Sequence, residues 1–348
     1  MVAPTTANPS RGQTAFLVNS GPGTVTPVDL ASRRAEPPIK VGRDPQAIAI
    51  TPDGHTAYVT NAGSGTVTPI NTATHRAGPP IRVGADPQAI AITPDGRTAY
   101  VTNAGSDTVT PINTATCHAG APIAVGTGPR AIAITPDGRT AYVLDWGGAA
   151  VTPIEVATGR ARPPIPVGSY PFAITIANGG RTAYVASYGS NTVTPITVAT
   201  GRPGRAIPAG QAPDALAATP DGSTVYVAGG DSDAVTPIAA ATGRAGRATP
   251  VGYSPAAIAI SRSGRTAYVV NTISGTVTPV STGTGRAGQP IPVGSYSYPL
   301  AIALAPSGPL AVVADTYAGR AALVNTRTRH TIAQVTTGSY PVAIAIAG

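Results

Sequence analysis

One aromatic position recurs every 42 residues along this chain of 348 residues, and this period constrains the fold more than any other feature. The tripeptide Pro-Asp-Gly, the tetrapeptide Thr-Val-Thr-Pro and the dipeptide Val-Gly keep the same period. A regular repeat of this length predicts one array of similar units rather than two unrelated domains. The aromatic position is occupied by Phe16, Tyr58, Tyr100, Tyr142, Tyr184, Tyr226 and Tyr268, and Val312 follows after 44 residues.

Each repeat contains four short segments with the pattern of β-strands. In one unit these are Ala89–Ile92 (strand A), Thr98–Thr102 (strand B), Thr108–Ile112 (strand C) and Pro122–Val125 (strand D). Pro94-Asp-Gly96 predicts a tight turn between A and B, since Pro and Asp favour the first turn positions and Gly the last. No helical periodicity is present. Four short strands in a unit of 40–45 residues are typical of a β-propeller blade.

The sequence therefore predicts an all-β fold, a single closed β-propeller of four-stranded antiparallel blades. Eight sets of strands can be counted, so we expect eight blades, with seven as the alternative. The first blade lacks an A strand before it, and a spare one lies at Ala343–Ile346. We expect this C-terminal strand to pair with the N-terminal blade and close the ring, since a gap would expose two sheet edges. Residues 1–12 would be an N-terminal extension and residues 13–348 the propeller.

Strand C carries a proline in seven of the eight repeats, at positions 27, 69, 111, 153, 195, 237 and 279. Proline has no N–H to donate to a neighbouring strand. We therefore expect a bulge or an unpaired position at this point of strand C.

The segments Tyr58-Val-Thr-Asn61 and Tyr100-Val-Thr-Asn103, together with the preceding Pro-Asp-Gly, resemble the YVTN repeat family of β-propellers. The resemblance covers residues 13–347. It implies a propeller, commonly of seven blades, that is often exported or attached to the cell surface. Related propellers include lactonases, a streptogramin lyase and ligand-binding scaffolds. The chain departs from the family pattern at the strand C proline and at Ala311–Asp315, where the tyrosine is missing.

Composition excludes several classes of protein. Cys117 is the single cysteine, so no internal disulfide can form. Residues 1–12 show no secretion signal, and no apolar run approaches the roughly 18 residues of a membrane helix. From the family resemblance we expect an extracytoplasmic or cell-surface protein without a membrane span, and we expect a monomer.

In a propeller the D–A and B–C loops lie on one face around the central channel, which we call the top face; the A–B and C–D turns form the underside. All tyrosines outside strand B fall in top loops, together with the single tryptophan and one phenylalanine. These aromatic residues are Trp146, Tyr170, Phe172, Tyr188, Tyr253, Tyr296, Tyr298, Tyr317 and Tyr340. Because exposed aromatic side chains often mark binding surfaces, we interpret them as candidate ligand contacts.

The top loops are acidic. They hold eight aspartates and three arginines, a net charge of −5, whereas the rest of the chain carries +13. Nucleic acid is therefore not expected at the top face. The residue after the D–A proline differs in almost every blade, which makes it a candidate for ligand specificity. These residues are Gln46, Gln88, Arg130, Phe172, Asp214, Ala256, Leu300 and Val342.

Catalytic residues are scarce. The four histidines, at positions 55, 75, 118 and 330, all fall on the underside or in outer turns, and neither a Ser-His-Asp set nor zinc-type spacing is present. A lactonase-like enzyme needs oxygen ligands around a divalent cation. Loop Asp and Asn residues, such as Asn61 and Asn103, could contribute, although such residues mostly form turns.

We therefore predict a non-enzymatic scaffold that binds a protein, peptide or carbohydrate at the channel mouth, with no catalytic residue, metal or cofactor. The alternative is a metal-dependent, lactonase-like hydrolase. The candidate binding residues are Trp146, Tyr170, Phe172, Tyr188, Asp145, Tyr253, Tyr298, Tyr317, Tyr340, Gln46, Gln88, Arg130 and Asp214.

Overall fold

The computed structural model describes residues 12–294 and 298–348, and these residues form eight antiparallel sheets in a closed ring. In every sheet the strand order is A-B-C-D. Neighbouring A strands contact each other all the way around the ring, so they line the central axis, and the D strands form the outer rim. The chain is an eight-bladed β-propeller, which confirms the predicted fold class. Of the predicted N-terminal extension, residues 1–11 lie outside the described part of the chain.

The strands of each type have nearly equal lengths. The A strands of blades 2 to 8 are Pro45–Ile50, Pro87–Ile92, Pro129–Ile134, Pro171–Ala177, Pro213–Ala218, Pro255–Ile260 and Pro299–Leu304. The B strands are Thr14–Asn19, Thr56–Asn61, Thr98–Asn103, Thr140–Asp145, Thr182–Ser187, Thr224–Gly229, Thr266–Asn271 and Leu310–Asp315. The C strands are Thr24–Asp29, Thr66–Asn71, Thr108–Asn113, Ala150–Glu155, Thr192–Thr197, Ala234–Ala239, Thr276–Ser281 and Arg320–Asn325.

The outer D strand consists of two-residue pieces in blades 1 to 7. These are Arg34–Ala35 with Ile39–Lys40, Arg76–Ala77 with Ile81–Arg82, His118–Ala119 with Ile123–Ala124, Arg160–Ala161 with Ile165–Pro166, Arg202–Pro203 with Ile207–Pro208, Arg244–Ala245 with Thr249–Pro250, and Ile291–Pro292. In blade 8 the D strand is the continuous segment His330–Thr336. Two single 3-10 turns, Ala62–Ser64 and Asn178–Gly180, are the helical elements of the described residues.

The ring closes as the sequence predicts. Strand Pro341–Ala347 pairs antiparallel with Thr14–Asn19 and supplies the A strand of blade 1. Its isoleucines, Ile344 and Ile346, pack against the apolar cluster between blades 8 and 1. Eight blades rather than seven therefore result from seven contiguous blades and one that combines both ends of the described chain.

The repeated tyrosine of strand B links neighbouring blades. Its ring is buried, and its hydroxyl donates to a backbone carbonyl just after strand C of the next blade, 56 residues later in five blades and 58 in the sixth. Tyr184 Oη, for example, donates to the carbonyl of Ala240 over 3.0 Å. In blade 1 the equivalent Phe16 has no hydroxyl, and it instead meets the ring edge of His75, whose Nδ1 lies 2.6 Å from Glu36 Oε2. These tyrosines therefore have a structural role between neighbouring blades.

Replacing Tyr184 by Phe should lower the free energy of unfolding by about 1 kcal/mol, because the buried carbonyl of Ala240 loses its donor. Urea unfolding followed by circular dichroism measures the difference. Tyr188→Phe is the matched control, since this ring is exposed on the top face and should cost nothing measurable. Equal losses in the two variants would contradict the structural role assigned to the strand B hydroxyl.

The strand C proline produces an unpaired position and not a bulge. Pro69 lies opposite Tyr58 in an unbroken B–C ladder, and its carbonyl accepts from Gly78 N on the outer side. The missing N–H therefore faces strand D, which is interrupted at this level. Blade 8 provides an internal comparison, since Leu323 replaces the proline there and the D strand is continuous.

Candidate functional site

The large apolar side chains that are well exposed all lie on the top face. Within the described residues they are between 41% and 68% exposed, and they occupy the D–A or B–C loops on the arc from blade 4 to blade 1. Six were predicted from the sequence, whereas Ile273 was missed because only aromatic residues were considered. The set consists of Trp146, Tyr170, Tyr188, Tyr253, Ile273, Tyr317 and Tyr340.

Four aromatic side chains and one arginine meet where blade 4 joins blade 5. The ring centroids of Trp146 and Tyr170 are 4.9 Å apart, and those of Phe172 and Tyr188 are 6.4 Å apart. Arg130 Cζ lies 4.4 Å from the centre of the Phe172 ring, a cation–π geometry. We call these five residues the blade 4/5 cluster. They form a surface with three exposed aromatic rings, Trp146, Tyr170 and Tyr188, and a cation that covers one face of Phe172.

Tyr170 occupies a backbone position that a bulky residue adopts at a cost. Its φ is +53°, in the left-handed region, and Tyr340 has φ +55° at the equivalent place in another blade. Other blades have Gly128, Asp44 or Asp86 at this position. Glycine, and to a lesser degree Asp, tolerates this conformation, whereas other residues lose roughly 1 kcal/mol or more there. The scaffold therefore accepts a smaller residue, and tyrosine is not required by the turn.

A second group of rings lies at the top of blade 8, between its junctions with blades 7 and 1. Tyr298 and Tyr317 are stacked with centroids 4.5 Å apart, and Tyr340 meets Tyr317 edge-on at 6.4 Å. Tyr253 belongs to neither group and lies at the junction of blades 6 and 7, where its backbone N–H donates to Ser274 Oγ. Tyr296, which was also predicted to lie on the top face, falls outside the described residues.

The residues after the D–A proline share one unusual feature, a break in the strand register. In each A strand the pairing with strand B skips this residue, as between Pro129 and Ala131, which leaves Arg130 as the bulged residue. Bulges redirect a side chain out of the regular ladder. The bulge explains how the residue type at the channel mouth can differ among blades while the pairing of the A strand stays the same.

Two of the polar side chains at these bulges form hydrogen bonds with the aspartate two residues before them. Gln46 Nε2 donates to Asp44 Oδ1, and Gln88 Nε2 donates to Asp86 Oδ1, both over 2.7 Å. Burial raises the pKa of Asp214 to about 6, an effect that Asp231 strengthens and Arg130 opposes. Arg130 thus lies close enough to Asp214 to stabilise its charged form.

Asp145 does not reach the top surface. This last residue of a B strand is fully buried and lies directly before Trp146, and its Oδ2 accepts from Thr152 Oγ1 over 2.6 Å. No donor reaches Oδ1 within hydrogen-bonding geometry in the described residues. Burial raises the pKa of Asp145 to about 6. This complete burial keeps the Asp145 carboxyl from contacting a ligand at the top surface in this structure.

The equivalent asparagines have a structural role. Asn61 Nδ2 donates to the hydroxyls of Thr66 and Thr68, and Asn61 Oδ1 accepts from the backbone N–H of Gly42. Asn103 repeats the two bonds to threonine hydroxyls. The asparagine of the Tyr-Val-Thr-Asn segment and the threonines of Thr-Val-Thr therefore fasten the start and end of the B–C loop. The fixed spacing of the two motifs was the sequence signal for this network.

The titratable groups of the underside are remote from the top face. His55 and His75 line a cavity of about 380 Å³ with Asp53 at the junction of blades 1 and 2, and His75 Nδ1 is held by Glu36. Within residues 12–294 and 298–348, no three His, Cys, Asp or Glu side chains are grouped as a metal site would require. No helix in this part of the chain is long and apolar enough to cross a membrane.

Fold and site together define an eight-bladed β-propeller with an aromatic, acidic top face. The profile of the family described as "Lactonase, 7-bladed beta-propeller" matches residues 75–247, which is just under half of the chain. The chain is thus similar to a family named for seven blades, although it forms eight. No curated protein matches the sequence.

Several solved structures share the fold. Hydrazine synthase of Kuenenia stuttgartiensis is 26% identical with a TM-score of 0.65, over 77% of this chain and 92% of that one. The dihydro-heme d1 dehydrogenase NirN, solved in complex with DHE, is 12% identical with a TM-score of 0.83, over 99% and 77%. Apo AztD from Citrobacter koseri is 12% identical with a TM-score of 0.74, over 96% and 97%. Identities of 12% indicate a common architecture and carry no information on ligands.

Proposed function

We propose that this propeller is a non-enzymatic binding protein whose top face docks a peptide, protein or carbohydrate, outside the cytoplasm. The observation that carries the proposal is the one-sided distribution of exposed apolar side chains. Seven large ones lie on the top face and none of comparable exposure lies elsewhere in the described residues. Large exposed apolar groups that cluster on one face mark interaction sites. The extracytoplasmic location rests on the resemblance to the YVTN repeat family.

The types of residue on the top face favour a role in ligand binding over a role in covering the loop backbone. Tyr170 occupies a left-handed position where Gly128 and Asp86 show that the fold does not need an aromatic residue. Strained residues that the fold does not require are found mainly at functional sites. Aromatic rings such as Trp146 and Tyr170 suit the flat apolar face of a sugar ring or an apolar peptide side chain, and nearby Arg130 can orient a polar group of the ligand.

The alternative function is a metal-dependent, lactonase-like hydrolase. The match of residues 75–247 to the lactonase family favours it. Its divalent cation would have to be held largely by amide and backbone oxygens, because the described carboxylates form no group of three. Among the asparagines, Asn61 Oδ1 already accepts from Gly42 N, whereas Asn103 Oδ1 has no hydrogen-bond partner in the described residues. Calorimetric titration with Ca²⁺, Mg²⁺ and Zn²⁺ separates the two functions, since only the hydrolase requires tight binding of one of these ions.

A fluorescence screen can test the binding function. Trp146 is the single tryptophan and belongs to the blade 4/5 cluster, so its emission should change when a ligand covers the cluster. We expect a hit from a panel of neutral oligosaccharides and of peptides. The Tyr170→Gly, Phe172→Ala double variant should weaken that hit by at least about 30-fold, since a single hot-spot residue contributes roughly 2 kcal/mol. Isothermal titration calorimetry confirms the loss independently of the altered fluorescence.

The two substitutions copy residues of other blades, Gly128 and Ala256, so they should leave the melting temperature unchanged or slightly higher. Tyr317→Ala in the other aromatic group is the matched control, and it should retain binding of a ligand confined to the blade 4/5 cluster. If the double variant unfolds, the rings belong to the core and the proposed binding site is wrong.

A further inference from the structure

The outer edge of blade 8 differs from the seven other outer edges of the ring. In blades 1 to 7 the D strand consists of one or two pieces of two residues each, whereas in blade 8 it is the single strand His330–Thr336, with one bulge at Ile332. No described strand pairs with its outer side. The residues after the bulge, Ala333–Thr337, keep a regular register with strand C. A regular unpaired edge is a template for pairing with another strand, and proteins normally block it with proline, charge, bulges or interruption.

The position of Thr336 shows most clearly how the blade 8 edge differs from the others. Thr336 pairs with the first residue of strand C, and Thr337 N donates to the carbonyl of Gly319 one step further. Because hydrogen-bonded and non-bonded pairs alternate in an antiparallel ladder, the N–H and C=O of Thr336 point outward. The equivalents of Thr336 in blades 1 to 7 are Lys40, Arg82, Ala124, Pro166, Pro208, Pro250 and Pro292. Six of these seven are charged or lack the outward N–H, so Thr336 leaves this edge open.

We propose that the blade 8 edge is a self-association surface, at which the D strands of two copies pair antiparallel about a two-fold axis. An isologous contact of this kind satisfies both edges at once and closes without further growth. The segment Thr331–Thr337 contains no charged residue, so identical strands do not repel along their length. The regular part of this segment, Ala333–Thr337, spans roughly 17 Å, enough for a short ladder.

The charges of the chain select the antiparallel orientation and a second copy as the partner. Arg327 and Arg329 lie at the underside end of the strand, and the acidic top loops lie at the other end. A parallel pair would bring the four arginines together. The antiparallel pair separates them by about 20 Å, beyond the screening length of roughly 8–10 Å at physiological salt, and places the basic underside of each copy beside the acidic top of the other.

One face of the strand is already anchored to the D strand of blade 7 and the residue after it. Thr331 Oγ1 donates to the carbonyl of Pro292 over 2.6 Å, and Gln334 Nε2 donates to the carbonyl of Val293 over 3.0 Å. These bonds fix the strand against blade 7 and leave its outer backbone groups unpaired. A small interface made mainly of backbone hydrogen bonds gives a weak complex, so we expect a dimer that forms at micromolar or higher concentration. At such concentrations the expected monomer is replaced by a dimer.

Sedimentation velocity over a wide concentration range tests the inference. The wild-type chain should show a monomer–dimer equilibrium that weakens as salt is raised. Thr336→Pro should weaken dimerisation at least tenfold without lowering the melting temperature, because four other blades carry proline at this position and keep their strand pairing. Ala124→Pro makes the same change on the blade 3 edge and should leave dimerisation unaltered.

Three results would overturn the proposal. The first is a wild-type chain that remains monomeric up to millimolar concentration. The second is a dimer that Thr336→Pro and Ala124→Pro affect equally. The third is a dimer that high salt strengthens, since this excludes the charge complementarity that selects the antiparallel orientation. None of these results bears on ligand binding at the top face, so the two proposals fail or succeed independently.

Discussion

A chain that ends at residue 340 is expected to lose its cooperative native melting transition and to form oligomers. The deletion removes Pro341–Ala347, the inner strand of blade 1, and exposes the edge of Thr14–Asn19. Ile344 and Ile346 are lost from the core between blades 8 and 1. Truncation of one such side chain costs about 2–5 kcal/mol, so the loss of the whole strand should exceed 5 kcal/mol. Calorimetry and size-exclusion chromatography measure the two effects.

A permuted chain provides the control for this deletion. Residues 341–346 are moved in front of residue 14 and joined to it through a turn copied from Thr93–Arg97, since Ile346 pairs with Ala15 as Ile92 pairs with Ala99. The A strand of blade 1 then precedes its B strand, as in every other blade. This chain should melt like the wild type and elute as it does. Native melting of the truncated chain, or collapse of the permuted one, would show that closure does not depend on this strand.

The repeat period was sufficient to predict the architecture. Each 42-residue unit has the same pattern of strands and turns, so an ambiguous pattern in one unit is resolved by the others. The closing strand could be predicted because blade 1 lacked an element that the C-terminus had in excess. The interruption of the D strand was harder to predict from the sequence. The interruption depends on whether the missing N–H of the proline faces strand B or strand D. This direction is known only once the pairing of Pro69 with Tyr58 is known.

The site could be predicted only in part. Loop position correctly placed the exposed rings on one face, because topology alone decides which loops share it. Burial within a loop could not be predicted in the same way. Asp145 and Trp146 are adjacent in sequence, yet the carboxyl is fully buried and the indole is 41% exposed. The difference arises because residue 145 is the last of strand B and faces the space where other blades hold an asparagine network, which no single repeat reveals.

Asp145→Asn is expected to stabilise the propeller by about 2–3 kcal/mol at neutral pH. The buried carboxyl has its pKa raised to about 6 from 3.8, and each pKa unit corresponds to about 1.4 kcal/mol. Blade 8 also has an aspartate at this place, but Arg320 Nε lies 3.1 Å from Asp315 Oδ2. The residue equivalent to Arg320 in blade 4 is Ala150, so Asp145 has no such cation beside it. An asparagine can instead donate to Thr152, as Asn61 does to Thr68.

The gain should depend on pH in a direction that identifies its cause. The folded state holds the Asp145 proton up to about pH 6, whereas the unfolded state releases it near pH 4. Between these values the folded state binds more protons, so wild-type stability falls as pH rises, and the neutral asparagine removes this fall. Asp145→Asn should therefore match the wild type below pH 4 and exceed it most above pH 6, by about 1–2 °C of melting temperature for each kcal/mol. Ala150→Arg, which copies blade 8, should recover part of the same gain by stabilising the charged carboxylate. An advantage of Asp145→Asn that is equal at pH 4 and pH 7.5 would mean that packing, and not the buried charge, sets the stability at this site.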